Sequence, residues 1–155
     1  MKHWILIADA SRASVFVPHP DRKELEPVRE FSDPLGRAHS ADLAADRQGR
    51  TRSATPGGNF TPAMTAHTDP RAAEAERFAR HIAVQLAVAH GRHECDRLAL
   101  IAPAQFLGLL RQALDGQVAK TVVSSLSADL TPIPHRDLWP HVDDVTRAFA
   151  HLAES

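Results

Sequence analysis

The chain has 155 residues, of which 24% are charged and 43% are hydrophobic, and its formal net charge at pH 7 is −1. The length fits one domain spanning residues 1–155, and the composition is that of a globular protein. The near-neutral charge provides no overall basic field for nucleic acid, and the single cysteine, Cys95, excludes a disulfide within the chain.

The N-terminal apolar run, residues 4–8, is too short for a signal peptide and is followed at once by Asp9. No window approaches the 18 apolar residues of a membrane span. We therefore expect no membrane insertion and a cytoplasmic location, with which a lone cysteine is compatible.

The first third of the chain predicts three strands joined by short turns. Residues 4–8 are continuously apolar, as in a central strand covered on both faces. Residues 13–17 alternate, residues 18–21 indicate a turn, and residues 25–31 form a strand that Pro27 places at an edge. The short links favour an antiparallel meander.

Residues 32–68 form a long loop rich in Gly and Pro, and such loops in compact domains often carry function. Asp69 then suits a helix N-cap, Pro70 the first helical position, and Gly91 the C′ position that ends the helix.

The remaining elements alternate between strand and helix. Residues 97–102 predict a buried strand that leads through Pro103 into an amphipathic helix ending at Gly116. Residues 120–124 predict another strand, and a last helix runs to about residue 153 with Pro140 near its start. The order βββ, loop, αβαβα is that of an α/β, ribonuclease-H-like fold: a mixed five-stranded sheet flanked by helices.

The chain resembles the bacterial host attachment proteins, a family described as required for attachment to host cells. The residues that carry the resemblance are 4–9, Asp33-Pro34-Leu35-Gly36-Arg37, Asp46-Arg47-Gln48-Gly49-Arg50, 68–70, 74–79, 102–111 and Asp129-Leu130-Thr131. That family is in turn similar to the middle domain of archaeal and eukaryotic peptide-chain release factors. The resemblance therefore implies a ribonuclease-H-like fold and a role at the ribosome.

The release-factor domain carries a Gly-Gly-Gln loop that acts on the peptidyl-tRNA ester, and the long loop here contains Gly57, Gly58 and Asn59. The resemblance implies that these residues position water as a catalytic set. Asn59 is one methylene shorter than Gln, and an ordinary flexible turn is the alternative interpretation.

Arginines in the same loop suggest a site for phosphate or RNA, because guanidinium groups bind phosphate through paired hydrogen bonds. The predicted anion-binding residues are Arg37, Arg47, Arg50 and Arg52, with Arg12 and Arg71 as additions from outside the loop. A solvated polar loop is the alternative.

The spacing of the Asp, Glu, His and Cys residues does not predict a metal site. We therefore expect no metal and no cofactor. Asp9 follows the first strand and Glu74 and Glu76 lie on the first helix, but no acid follows the second buried strand. For Asp9 we prefer a turn or capping hydrogen bond. His90, His93 and Cys95 lack a fourth zinc ligand and fit a helix-to-strand link.

The sequence hypothesis is a protein that binds the ribosome, tRNA or other RNA through residues 36–60, without a need for catalysis. Its enzymatic version adds hydrolysis of a peptidyl-tRNA-like ester. The alternative is a non-catalytic interaction protein in host-cell attachment or stress response. Assembly into a homo-oligomer is left open.

Overall fold

Five strands form one mixed sheet in the order β3-β2-β1-β4-β5 in a computed structural model that describes residues 1–33 and 69–154. The strands are β1 (His3–Ala8), β2 (Arg12–His19), β3 (Glu24–Ser32), β4 (Arg97–Ala102) and β5 (Val122–Ser127). Strands β1 and β4 are the inner parallel pair and are buried almost throughout. Burial on both faces explains why their sequences are continuously apolar rather than alternating.

The predicted connectivity is confirmed. Strand β1 pairs antiparallel with β2, and β2 pairs antiparallel with β3, whereas β1 with β4 and β4 with β5 are parallel. Pro27 lies on the edge strand β3, opposite Phe16, where the register shifts. An edge and a register shift are the places where a strand tolerates a residue without an N–H. The ribonuclease-H-like assignment remains a prediction.

Helices cover both faces of the sheet. The helices are α1 (Pro70–Gly91), α2 (Ala104–Ala113), the short α3 (Gly116–Ala119) and α4 (Trp139–Glu154), with a 3₁₀ turn at His135–Asp137. One core lies under α1 and α2 and includes Phe78, Leu100 and Leu110. The other lies under α4 and includes Ile101 and Val142. Each fully buried side chain of this kind stabilises the fold by roughly 1.5–3 kcal/mol.

The structure corrects the predicted ends of two helices. Gly116 does not end a helix: α2 stops at Ala113, and Gly116 begins α3, whose N-cap Asp115 accepts a hydrogen bond from the Val118 N–H at 2.9 Å. Gly91 is not the C′ residue either, because the positive φ in this link belongs to His93, at 60°.

Two strands also differ from their predicted bounds. Strand β2 continues through Pro18 and His19, which were predicted to be turn residues, because they pair with Leu25 and Glu24. Strand β5 starts two residues later than predicted, because the buried Thr121 hydroxyl caps α3 by donating to the Val118 carbonyl at 2.7 Å.

The carboxyl ends of the parallel strands β1, β4 and β5 lie at one end of the sheet, together with the turns and helix starts that adjoin them. We call this end of the sheet the carboxyl edge. It comprises Asp9–Arg12, Asp33, Asp69–Arg71, Pro103 and Ala128–Thr131. The Asp33 N–H donates to the Ser11 carbonyl at 3.1 Å, and the Ala128 N–H donates to the Ala102 carbonyl at 3.0 Å. The carboxyl ends of parallel strands in an open α/β sheet are where ligands usually bind.

Candidate functional site

Asp9 organises the tight turn between β1 and β2. Its Oδ1 accepts hydrogen bonds from the backbone N–H groups of Ser11 and Arg12, both at 2.9 Å, and from the Ser11 hydroxyl at 3.2 Å. The Asp9 N–H in turn donates to the Arg12 carbonyl at 2.9 Å. The predicted turn-forming role of Asp9 is thereby confirmed.

The second oxygen of Asp9 ties this turn to the link between β5 and α4. The Thr131 hydroxyl lies 2.9 Å from Asp9 Oδ2 and 2.9 Å from Asp129 Oδ1. A hydroxyl has one proton to donate, so it donates to one of the two carboxylates at a time. The hydrogen bond between Thr131 and Asp9 therefore joins two residues that are 122 positions apart in the sequence.

Hydrogen bonding keeps Asp9 ionised. Burial acts to raise the pKa of Asp9, but the N–H of Ser11, the Thr131 hydroxyl and the N–H of Arg12 together hold that pKa below its ordinary value. The carboxyl edge therefore carries a fixed negative charge beside Arg12.

Arg12 projects from the start of β2 into solvent, with 61% of its side chain exposed. Its Nε lies 3.8 Å from Asp9 Oδ2, which is the outer limit of an ion pair. An exposed pair at this distance contributes little stability, so the guanidinium can turn to an incoming anion.

Arg12 lines a cleft of about 450 Å³ between the outer strands and the β5–α4 link. The cleft has an apolar inner part and a polar rim. The inner part includes Ile7, Phe16, Leu130 and Leu138, and the rim includes Ser14, Glu30, Ser32, Thr131 and His135. His135 closes one end, where its ring packs on Phe16 and its Nε2 is bonded to the Leu25 carbonyl.

Arg71 lies on the other face of the sheet, in the first turn of α1. Asp69 caps this helix by accepting from the Arg71 N–H at 3.0 Å. A second cavity, of about 320 Å³, is lined by Arg71 together with Ala10 and Gln105. Ala10 belongs to the turn that Asp9 organises, so Arg71 and Arg12 flank the same turn.

The start of α2 adds backbone donors to this second cavity. Among the described residues no side chain caps α2, and its first backbone bond runs from the Leu107 N–H to the Pro103 carbonyl at 2.8 Å. The preceding N–H groups, including that of Gln105, point out of the helix end, as at the start of any helix. Such an end attracts negative charge.

Two of the residues predicted to bind an anion, Arg12 and Arg71, are thus placed on the carboxyl edge. The other predicted site residues lie outside the described part of the chain; they are Arg37, Arg47, Arg50, Arg52, Gly57, Gly58 and Asn59.

Sequence reasoning missed Thr131, which lines the cleft, Asp129, which contacts the Thr131 hydroxyl, and His135, which closes one end of the cleft. A signal for the first two was present, since both belong to the segment 129–131 on which the family resemblance partly rests. Nothing in the sequence indicated that His135 would bind the Leu25 carbonyl.

The His and Cys residues after α1 make structural contacts. The His90 ring is bonded through Nδ1 to the Cys95 carbonyl at 3.2 Å, and the buried Cys95 thiol donates to the Arg97 carbonyl at 3.5 Å. Burial and the nearby Asp96 raise the pKa of Cys95 to about 12. Within residues 1–33 and 69–154 no group of three or more His, Cys, Asp or Glu side chains could hold a metal.

The described helices contain no stretch that is both long and apolar enough to span a bilayer. A comparison with curated proteins gave no match. Among solved structures, the chain is similar to an archaeal translation termination factor, aRF1, with a TM-score of 0.46 and 10% identity. The match covers 99% of this chain and 41% of that factor.

A family model described as "Protein required for attachment to host cells" matches residues 4–142. This match covers most of the chain and confirms the resemblance on which the sequence analysis relied. The protein belongs to the family of proteins required for attachment to host cells.

Proposed function

We propose that this protein binds RNA, the ribosome or tRNA included, by contacting phosphates at the carboxyl edge. The observation that carries the proposal is the placement of Arg12 and Arg71 on either side of one turn. Within the described residues, Arg71 forms no ion pair and Arg12 forms one, the 3.8 Å contact to Asp9. Both guanidinium groups can therefore bind a phosphate without first breaking a close ion pair.

The local charge supports weak and salt-sensitive binding rather than a tight site. The N-terminus of α2 favours an anion in the cavity beside Arg71. The carboxylates of Asp9 and Asp69 lie on the same edge, and their negative charges oppose the binding of an anion there. We therefore expect contacts to phosphate and no reading of bases at this edge.

The arginines of residues 34–68 belong to the same proposal. This segment leaves the described part of the chain at Asp33 and returns at Asp69, and both residues lie on the carboxyl edge. Arg37, Arg47, Arg50 and Arg52 enter the proposal from the sequence.

The test is binding of a fluorescent single-stranded oligoribonucleotide and of tRNA, measured by anisotropy at low salt. Arg12→Gln/Arg71→Gln should weaken binding by about tenfold for each arginine, because a hydrogen bond to a charged group contributes roughly 1.5 kcal/mol or more. The matched control is Arg92→Gln/Lys120→Gln, which removes two exposed charges at the opposite edge. Equal losses in both variants would contradict a site at the carboxyl edge.

Ester hydrolysis is a separate proposal that rests on Gly57, Gly58 and Asn59. It is supported only by their resemblance to the release-factor loop. Hydrolysis of a peptidyl-tRNA-like ester by the purified protein, lost in Asn59→Ala, would support it. Activity that survives in Asn59→Ala would remove Asn59 from the mechanism.

A non-catalytic role in host-cell attachment is the second candidate function, and the description of the family favours it. We propose a cytoplasmic location, so attachment would be affected indirectly. Fractionation of cells tests this: protein found on the cell surface would favour a direct role in adhesion.

A further inference from the structure

A separate cavity lies at the end of β3 that is remote from the carboxyl edge. Its volume is about 270 Å³. It is formed where the β2–β3 turn meets the start of α4, and it is lined by Lys23, Glu24, Leu25, His135, Arg136 and Trp139. Only His135 is shared with the cleft that Arg12 lines, and neither Arg12 nor Arg71 reaches this cavity.

The indole of Trp139 provides an aromatic surface in this cavity. Trp139 is partly buried against the core under α4. Within the described residues, no aromatic ring or cation stacks on it. The other tryptophan, Trp4, differs: it is buried, and the Arg29 guanidinium lies over its ring at 5.3 Å.

Two cations lie beside this aromatic surface. Lys23 and Arg136 are exposed, and neither forms an ion pair with a described residue. Glu24 is the one acid that lines the cavity, and its carboxylate is 3.6 Å from Arg22 Nε, which offsets its charge.

The backbone holds Lys23 in an uncommon conformation. Its φ is 54°, in the left-handed region that Gly or Asn adopts more easily. The turn fixes it there, because the N–H groups of Arg22 and Lys23 donate to the carbonyls of His19 and Pro20 at 3.1 and 3.3 Å. His135 fixes the facing wall through its bond to the Leu25 carbonyl. The cavity therefore has fixed walls on both sides.

We propose that this cavity binds a nucleotide, with the base against the Trp139 indole and the phosphate between Lys23 and Arg136. Stacking on an aromatic side chain next to basic groups is how proteins hold single nucleotides of a strand without reading their sequence. The volume lies just below the 300–1,000 Å³ of typical small-molecule sites, so the nucleotide remains partly exposed. It comes either as a free mononucleotide or as one unit of a single-stranded RNA.

The experiment is calorimetric titration of the purified full chain with AMP, with UMP, with a short oligoribonucleotide and with inorganic phosphate. The first variant is Lys23→Asn/Arg136→Gln. Asn accepts a positive φ, so the turn is kept while the charge is removed. The second is Trp139→Leu, which keeps an apolar side chain against the core but removes the stacking surface.

Two control variants lose the same charge elsewhere. Arg92→Gln/Lys120→Gln should bind nucleotides as the wild type does. Arg12→Gln/Arg71→Gln should weaken binding of the oligoribonucleotide at the carboxyl edge but leave binding of AMP and UMP unchanged, because neither arginine lines this cavity. Loss of this second site and loss of the proposed RNA contact are therefore distinguishable.

The expected result is nucleotide binding that falls at least about tenfold in Trp139→Leu and in Lys23→Asn/Arg136→Gln. Binding of AMP or UMP identifies a free nucleotide as the ligand, and binding of the oligoribonucleotide alone that falls in Trp139→Leu identifies a strand. The proposal is overturned if neither form binds, if both variants bind like the wild type, or if phosphate binds as tightly as the nucleotides.

Discussion

Asp9→Ala should destabilise the protein more than the exposure of the turn suggests. The Asp9 carboxylate accepts from two backbone N–H groups, from the Ser11 hydroxyl and from the Thr131 hydroxyl. A typical hydrogen bond contributes roughly 0.5–1.5 kcal/mol, and water can replace part of the bonding in this half-buried turn. We therefore expect a loss of about 2–3 kcal/mol in the free energy of unfolding.

The contact with Thr131 can be separated from the bonds within the turn by a double-mutant cycle. Thr131→Val removes only the hydroxyl and should cost about 1 kcal/mol. The double variant Asp9→Ala/Thr131→Val should lose less free energy of unfolding than the sum of the two single losses, and the difference, the coupling free energy, should be about 1 kcal/mol. Asp129→Ala is the control: Asp129 is exposed and shares the same hydroxyl proton, so its removal should cost less than about 0.5 kcal/mol.

Asp9→Asn removes the charge and keeps one acceptor for the turn N–H groups, but it replaces the acceptor of the Thr131 hydroxyl by an amide donor. Because the pKa of Asp9 is lower in the folded protein than in the unfolded chain, its ionisation stabilises the fold fully above about pH 4. That contribution is lost as the pH falls through the folded value. The stability difference between wild type and Asp9→Asn should therefore shrink below about pH 4.

The assay for these variants is urea denaturation at pH 7 and at pH 3, with the slope on urea unchanged. A loss below 0.5 kcal/mol in Asp9→Ala would refute the argument. So would an equal loss in Asp129→Ala, because the Asp9–Thr131 contact would then have no special role.

Three further predictions follow from single sites. Asp69→Asn keeps the N-cap of α1 but removes a negative charge beside Arg71. RNA affinity measured by anisotropy should therefore rise, while the midpoint of thermal unfolding stays unchanged. A lowered RNA affinity would contradict this prediction. Leu110→Ala should lower the free energy of unfolding by about 2–5 kcal/mol in urea, because the side chain is fully buried; a loss under 1 kcal/mol would be inconsistent with its place in the core. Cys95 should react with a thiol reagent at pH 8 no faster than the protein unfolds, because burial raises the pKa of its thiol to about 12 and keeps the thiol protonated. Rapid labelling of the native protein would contradict this prediction.

The sequence predicts the centre of the sheet well because burial on both faces leaves a direct trace. Residues 4–8 and 97–102 are continuously apolar, and both are inner strands. Pro27 likewise marks an edge, since a residue without an N–H cannot sit in an inner ladder. Helix α3 was missed because four residues are too few to show a period, and a single aspartate, Asp115, starts it.

The candidate site is less predictable because it depends on contacts between distant residues. The order of elements places Arg12 at the start of β2 and Arg71 in the first turn of α1. The topology then brings these two element starts to the carboxyl edge. The hydrogen bond of Thr131 to Asp9 and that of His135 to Leu25 join residues 122 and 110 positions apart. No local pattern in the sequence encodes such a pairing.

The most direct test of the account is co-sedimentation of the protein with ribosomes over a range of salt concentrations. We predict binding that weakens as salt rises, with a slope of log K on log salt that is shallower by roughly 1.4 in Arg12→Gln/Arg71→Gln, about 0.7 for each lost phosphate contact to single-stranded RNA. Arg92→Gln/Lys120→Gln should follow the wild-type line. Absence of sedimentation at every salt concentration, or a slope that the Arg12 and Arg71 substitutions leave unchanged, would contradict RNA binding at the carboxyl edge.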